Sequence, residues 1–570
     1  MSVVIRKPRA LLVVPLLLLA GGCGPDTPQR AAATPAPASF PVVPPAPVGD
    51  PAVLAAKAVA AMSDADLAGQ VLMPYAYGSA ATSVDSASAA GNRKLAGVDT
   101  PAAMVAKYHL GGLILVGFSA GDPTGSTNPT TNVDDPRQVR ALTDGLQAAA
   151  RALPGGAPLM IGTDQEYGVV TRVTNGVTLL PSAMAAGAAG KPALTRAAWH
   201  AAGEELAAMG LTVDFAPDAD TLGPPANTVI GSRSFGGAAQ ANAAQVTAAV
   251  DGLRSAGVAA GLKHFPGHGH TSGDSHVTLP VVAQSKAAWT SQDLPPFRAG
   301  VAAGAEVVMS GHLDVPALDR SGPATFSHKI MTDVLRGQLG FTGVAVTDAM
   351  NMPPAMKWPP GEAAVRALNA GDDMLLMPPD IGAARDGIVA ALQDGTLKRS
   401  RLVEAVTRIL TLNFRTAQHR QPDLSTVNTP AHQQAVAALD AASVTVLRGR
   451  CSGPLVSGSV TVSAQPIRKT AQDNLTKALR AAGLQVGAGG PVIRLVGYGD
   501  TPDNLDPAAD VTVMMDTPYL LAKAKSGTLL ATYSSSPLSL TALAAVLAGR
   551  AKATGRSPVA VPGLPRTACG

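Results

Sequence analysis

Between residues 50 and 420 the chain repeats one pattern eight times: a short apolar run, a turn, and then an amphipathic helical stretch. The runs are Gln70–Tyr75, Gly112–Gly117, Leu159–Thr163, Leu211–Ala216, Val258–His264, Glu306–His312, Gly343–Asp348 and Asp373–Met377. Each is apolar without a break, as strands covered on both faces of a parallel sheet must be. Helical patterns such as 137–152, 191–209, 238–255 and 329–339 separate them, and 398–416 reads as a closing helix. Eight strand–helix units over this length predict a (β/α)8 TIM barrel, since an open doubly wound sheet has no preference for eight. Ionisable residues fall repeatedly at the carboxyl ends of the runs: Asp164, Asp214, Lys263, His264, His312 and Asp348. That rim is where barrel enzymes assemble their sites.

The rest of the chain divides around this barrel. Arg6, Lys7 and Arg9 precede an apolar stretch from Leu11 to Ala20, too short to span a bilayer, and Ala20-Gly21-Gly22-Cys23 follows. The reading is an export signal over 1–22 with Cys23 as the lipidated first residue of the mature chain. Residues 23–49 then form a Pro/Ala-rich, semi-rigid tether. The expected products are a barrel over 50–420, a polar linker over 421–437 and a smaller C-terminal α/β domain over 438–570. Such a chain would be exported and held to the outer face of the cell membrane by its lipid alone. With Cys23 acylated, Cys451 and Cys569 remain as an even pair in an oxidising compartment. A disulfide between them is expected, with two unpaired buried thiols as the alternative. A net charge of +4 without a long basic run gives no footprint for nucleic acid.

One segment concentrates the chemistry. Four of the ten histidines lie within Lys263-His264-Phe265-Pro266-Gly267-His268-Gly269-His270-Thr271-Ser272-Gly273-Asp274-Ser275-His276. Asp274 and His276 are one residue apart and can face the same side of an extended loop. A carboxylate beside an imidazole orients the ring and makes it a general acid/base suited to neutral pH. The residue types leave two other readings open, a metal site and a solvated loop, although the spacing matches no common zinc motif.

The segment resembles the signature of family 3 glycoside hydrolases, in the lipoprotein form of their bacterial β-N-acetylglucosaminidase (β-N-acetylhexosaminidase) branch. The resemblance continues, in the family's order, through Thr163-Asp164-Gln165-Glu166 with Arg172, Asp214-Phe215-Ala216-Pro217 and Gly231-Ser232-Arg233-Ser234-Phe235-Gly236. Ser310-Gly311-His312, the stretch from Gly340 to Met350, and Ala370-Gly371-Asp372-Asp373-Met374 complete it. It implies Asp348 as nucleophile, His276 as acid/base and Asp274 as its partner. Asp164, Arg172, Arg233, Lys263 and His264 would hold the sugar, with no cofactor and no metal. The implied reaction is retaining hydrolysis of terminal β-linked N-acetylglucosamine, with cell-wall fragments such as GlcNAc–MurNAc as the expected substrate. Phosphorolysis at the same site is one alternative, and a wall-binding lipoprotein without turnover is another. The chain departs from the family at His270, where many members carry an acidic residue.

Overall fold

A computed structural model of the chain describes residues 43–569 except 46, 118–122, 226 and 272. The export signal, Cys23 and most of the tether lie outside the described residues. All eight expected strands are present: β1 Leu72–Met73, β2 Gly112–Ile114, β3 Met160–Thr163, β4 Val213–Asp214, β5 Ala259–Phe265, β6 Val307–Ser310, β7 Val344–Thr347 and β8 Leu375–Leu376. β2 to β7 pair in sequence order, every pair parallel, and β1 pairs with β8. Backbone bonds from Ile114 N to Pro74 O and from Thr347 N to Met374 O join the two sets and close the ring.

Local chemistry sets the helix limits. Asp135 accepts from the N–H groups of Arg137 and Gln138 and precedes Pro136, so the helix Pro136–Arg151 starts with a capped end and a proline whose missing N–H costs nothing there. Gly190, left-handed at φ 60°, stops Ala183–Ala189 before Pro192 opens the next helix. The helical pattern over 329–339 is wound as a π-helix, Lys329–Gln338.

Residues 430–437 differ from the expected linker: they open a helix, Pro430–Ser443, that runs on into the C-terminal domain. Its signal was Thr429-Pro430, a cap followed by a proline, whereas its buried apolar positions begin only at Val436. His432 fastens this helix to the barrel, with Nδ1 2.9 Å from Glu205 Oε1 and Nε2 3.0 Å from Glu204 Oε2.

The C-terminal sheet comprises β9 Thr445–Arg448, β10 Ser459–Ser463, β11 Gln485–Val486, β12 Val492–Val496, β13 Val511–Met514 and β14 Thr528–Ala531. Its order is β11-β10-β12-β13-β14-β9, parallel apart from β9. Loops at its carboxyl edge abut the barrel rim. Ser182 Oγ donates to Tyr533 O at 2.7 Å, and Ser232 donates to the buried Asp516 carboxyl. Cys451 and Cys569 are disulfide-bonded, with Cα atoms 5.3 Å apart.

Candidate active site

The rim is built from the strand ends upward. A register shift in β5 between Leu262 and Phe265 breaks the alternation of faces, so that the consecutive residues Lys263 and His264 both reach the site. Lys263 Nζ lies 2.7 Å from Asp164 Oδ1 and 2.6 Å from Glu166 Oε1. Arg233 grips Glu166 with two bonds, Nε to Oε2 at 2.6 Å and Nη2 to Oε1 at 3.0 Å. Burial alone would raise the Glu166 carboxyl, but Arg233 and Lys263 bring it well below the usual carboxylate range. Arg172 approaches Asp164 from the other side, with Nη2 3.5 Å from Oδ2. The five residues expected to hold a sugar thus sit together, and Asp164 is the most open to solvent, with 18% of its side chain exposed.

His264 is fixed by two neighbours. Its Nδ1 is 2.8 Å from Asp220 Oδ2, and Arg233 Nη2 stands 3.3 Å from its Nε2. Arginine has only donors, so Nε2 is the acceptor and Nδ1 carries the proton. Burial and the Arg233 charge push this imidazole down to about 4, so it is neutral at ordinary pH. Asp220 is itself pushed up to about 7 by burial, against the N–H bonds it receives.

The loop after β5 is shaped by glycines and short bonds. Gly267 has φ 129°, and a Cβ on Gly269 would lie 2.0 Å from Thr221 O, so only glycine lets the chain pass there. Asn227 Nδ2 donates to His268 O at 2.8 Å, and Trp289 Nε1 donates to Pro266 O at 2.8 Å. At the loop's far end the backbone N–H of His276 and its Nδ1 both meet Asp274 Oδ1, at 2.8 and 2.7 Å. The carboxylate therefore sets the tautomer, leaving Nε2 as the atom able to exchange a proton. Burial raises Asp274, but these bonds outweigh it and lower its pKa.

Asp348 follows β7 directly. Its N–H donates to Ser310 O on β6 at 2.9 Å, and Ala349 N–H donates to its Oδ1 at 2.8 Å. Burial opposes ionisation, yet His264, His312 and His276 together with the Ala349 N–H hold the carboxyl below its ordinary value. His276, from a different loop, is thus among the groups that bear on the Asp348 carboxyl. His312 is enclosed, with Nδ1 2.9 Å from Thr325 Oγ1, Nε2 3.1 Å from Ala349 O and its ring stacked on Phe326. It packs beneath Asp348 and offers no open nitrogen.

The four histidines of the segment go to four separate sets of partners: His264 to Asp220 and Arg233, His268 to Thr271 and Ser275, His270 to Asp293, and His276 to Asp274. They do not converge as ligands of one ion. Asp218, Asp220 and His264 do bring ligand-type atoms within 4.8 Å of one another. The positive charge at that spot belongs to Arg233, 3.8 Å from Asp218 Oδ2. Two residues central to this geometry, Glu166 and Asp220, were not among the expected site residues. Glu166 was visible only as the second acid of Thr163-Asp164-Gln165-Glu166, and Asp220 carried no distinctive signal.

The site therefore joins an orienting carboxylate, an imidazole and a strand-end aspartate above a bed of paired cations. Residues 80–412 match the model of the glycosyl hydrolase family 3 N-terminal domain. Beta-hexosaminidase A of Pseudoalteromonas piscicida is 34% identical over 379 residues, which is 60% of each chain. The match therefore spans under two thirds of that relative. Beta-hexosaminidase LpqI of Mycobacterium tuberculosis is 34% identical over 323 residues, 54% of this chain and 77% of the relative. A family 3 β-N-acetylglucosaminidase of Paenibacillus sp. str. FPU-7 superposes with a TM-score of 0.75 at 30% identity, covering 88% of this chain and 99% of that one. With more than half its length matched by the family model and its rim motifs in the matched part, the chain belongs to glycosyl hydrolase family 3.

Proposed function

We propose that the chain is a retaining β-N-acetylhexosaminidase that removes terminal β-linked N-acetylglucosamine, with Asp348 as nucleophile, His276 as acid/base and Asp274 orienting His276. The observation that carries this reading is the 2.7 Å contact between His276 Nδ1 and Asp274, in a ring that also acts on Asp348. In the first step His276 Nε2 gives its proton to the glycosidic oxygen while Asp348 attacks the anomeric carbon. The C–O bond to the leaving group breaks and a glycosyl ester on Asp348 forms. In the second, His276 takes a proton from water, the resulting nucleophile attacks the same carbon, and Asp348 is released. Two inversions give retained configuration. An imidazole replaces the second carboxylate usual in such enzymes. Asp164, Arg172, Lys263 and His264 hold sugar hydroxyls, with Arg233 and Glu166 setting the position of Lys263 and His264.

The names of the relatives support the choice of sugar, and the export signal expected over 1–22 supports a substrate outside the cell. On this reading the enzyme is anchored as a lipoprotein on the outer face of the cell membrane, and peptidoglycan fragments such as GlcNAc–MurNAc are its substrates. The test is release of chromophore from aryl β-N-acetylglucosaminide against aryl β-glucoside, with fluorosugar trapping and peptide mapping. Preference for the acetamido sugar and a label on Asp348 are expected. Preference for the glucoside, a label elsewhere, or sugar 1-phosphate as the main product in phosphate buffer would each overturn the reading.

A further inference from the structure

The end of the barrel opposite the site has a chemistry of its own. Two hollows open there, flanking the end of helix Arg399–Ala417, and residues just ahead of the strands line them: Leu159, Thr212 and Gly257 in one, Glu306 and Gly343 in the other. The first, about 130 Å³, is lined by Arg151, His419 and Arg420. Arg151 Nε and Nη1 are shielded from solvent and meet no acceptor among the described residues. Guanidinium donors without a protein acceptor suit an anionic oxygen.

The second hollow, about 470 Å³, is lined by Arg254, Arg408 and Arg415. Arg254 is held by Glu306 at 2.7 Å and Arg408 by Asp373 at 3.1 Å, whereas Arg415 meets no carboxylate among the described residues. The acids of the two hollows are already engaged, Asp144 by Arg140 and Glu306 by Arg254. Of those nearby, Glu404 is bound to Arg408, Asp423 shares Arg140 with Asp144, and Asp50, next to Gly49, caps its own helix. Arg151, Arg415 and Arg420 therefore leave the face with a surplus of positive charge over Asp50 and Asp423. The chain's N-terminal segment arrives at the same place: Val43 lines the first hollow, and Gln418 Nε2 donates to Gly49 O at 2.8 Å.

We propose that this face is a docking surface for an anionic phospholipid bilayer, with headgroup phosphates paired to the exposed Arg415 and Arg420 and the charge of the half-buried Arg151 beneath them. A bilayer is the occupant because Val43 and Gly49, at the N-terminal end of the described chain, lie on this face, and an acyl chain on Cys23 would bring a membrane to that end. The catalytic rim then points away from the lipid toward soluble substrate. Each arginine brought to an anionic surface is worth about five-fold in partitioning, and the effect falls with salt.

The described residues belong to one compact unit, so the surface can be tested without the anchor. Sedimentation with vesicles of phosphatidylcholine, with and without about one third phosphatidylglycerol, is expected to show binding at least ten-fold tighter to the anionic vesicles at low salt. Arg415→Glu with Arg420→Glu abolishes that preference, and Arg151→Gln weakens it. Arg366→Glu at the rim end leaves it intact. A melting curve confirms that each variant is folded, and Arg415→Gln with Arg420→Gln replaces the reversal if it is not. Equal binding to both vesicles, an equal loss in Arg366→Glu, or binding of soluble polyphosphate without binding of anionic vesicles would overturn the proposal.

Discussion

His268 Nε2 lies 3.1 Å from the Oγ atom of Ser275, the residue between Asp274 and His276. The other ring nitrogen, Nδ1, is 2.8 Å from Thr271 Oγ1, and the His268 backbone N–H donates to Asp220 at 2.6 Å. Burial pushes the His268 imidazole down to about 3, so the ring is neutral and uses one nitrogen as donor and the other as acceptor. The buried base of the loop thus grips its reactive tip through a single side chain.

Ser275→Ala removes that grip without touching the Asp274–His276 pair. One neutral hydrogen bond is worth about 1 kcal/mol, so kcat is expected to fall roughly five- to ten-fold, with little change in KM or melting temperature. An unchanged kcat on an aryl β-N-acetylglucosaminide would show that the loop holds its shape without His268.

The barrel was legible because eight buried parallel strands leave eight apolar runs, and because five of those runs, at β3 to β7, carry an ionisable residue at or beside their carboxyl ends. Asp348, Asp274 and His276 could be picked out for the same reason: they stand at strand ends or in a glycine-marked loop. Glu166 and Asp220 were not legible as partners, since Arg233 and Lys263 reach Glu166 across 67 and 97 positions, and no local pattern encodes such a meeting. In the C-terminal domain β10 leaves a faint signal, because Ser459, Thr461 and Ser463 alternate with only two valines in a strand buried on one face. The helix Pro430–Ser443 was hidden by its polar first turns, which His432 ties down through Glu204 and Glu205 rather than by apolar packing.

Asp440, at the base of the C-terminal domain, is fully buried and accepts a bond from the Ser539 hydroxyl. Burial pushes its carboxyl up to about 8, against about 3.8 for an unfolded aspartate. Between those values the folded chain retains a proton that the unfolded chain releases, so this group's contribution is fully present below about 3.8 and is lost as pH rises toward 8. Asp440→Asn keeps an acceptor for Ser539 and cannot ionise. Its melting temperature relative to the parent is therefore expected to climb between pH 5 and pH 8. A difference that stays flat with pH would mean that Asp440 ionises normally inside the fold.

The Cys451–Cys569 bond joins positions 118 residues apart, across most of the C-terminal domain. The chain-entropy model assigns a loop of that length about 5 kcal/mol, and measured values commonly fall to about 2 kcal/mol. Cys451→Ser with Cys569→Ser is expected to lower the unfolding free energy in urea by an amount within that range. Equal urea midpoints for parent and variant would show that the sheet and the Ser182 and Ser232 contacts already hold the domain.

His270 stands where the resemblance to the family leads to an acid being expected, and its Nδ1 is 2.8 Å from Oδ1 of the fully buried Asp293. Burial raises Asp293, while the bond from His270 opposes that rise and supports the charged form. A Cβ on Gly267 would sit 2.9 Å from Asp293 Cβ, so the loop closes directly over this carboxyl. His270→Asp would put a second carboxylate against it, leaving like charges with no cation between them. The expected cost is about 3 kcal/mol or more, seen as a lower melting temperature and as weaker activity from the displaced loop. His270→Asn can still donate to Asp293 and is expected to cost nearer 1 kcal/mol. Adding Asp293→Asn to His270→Asp removes the repulsion and should recover much of the loss. If His270→Asp proves as stable as the parent, the histidine is not what neutralises Asp293, and its departure from the family pattern has no bearing on the loop.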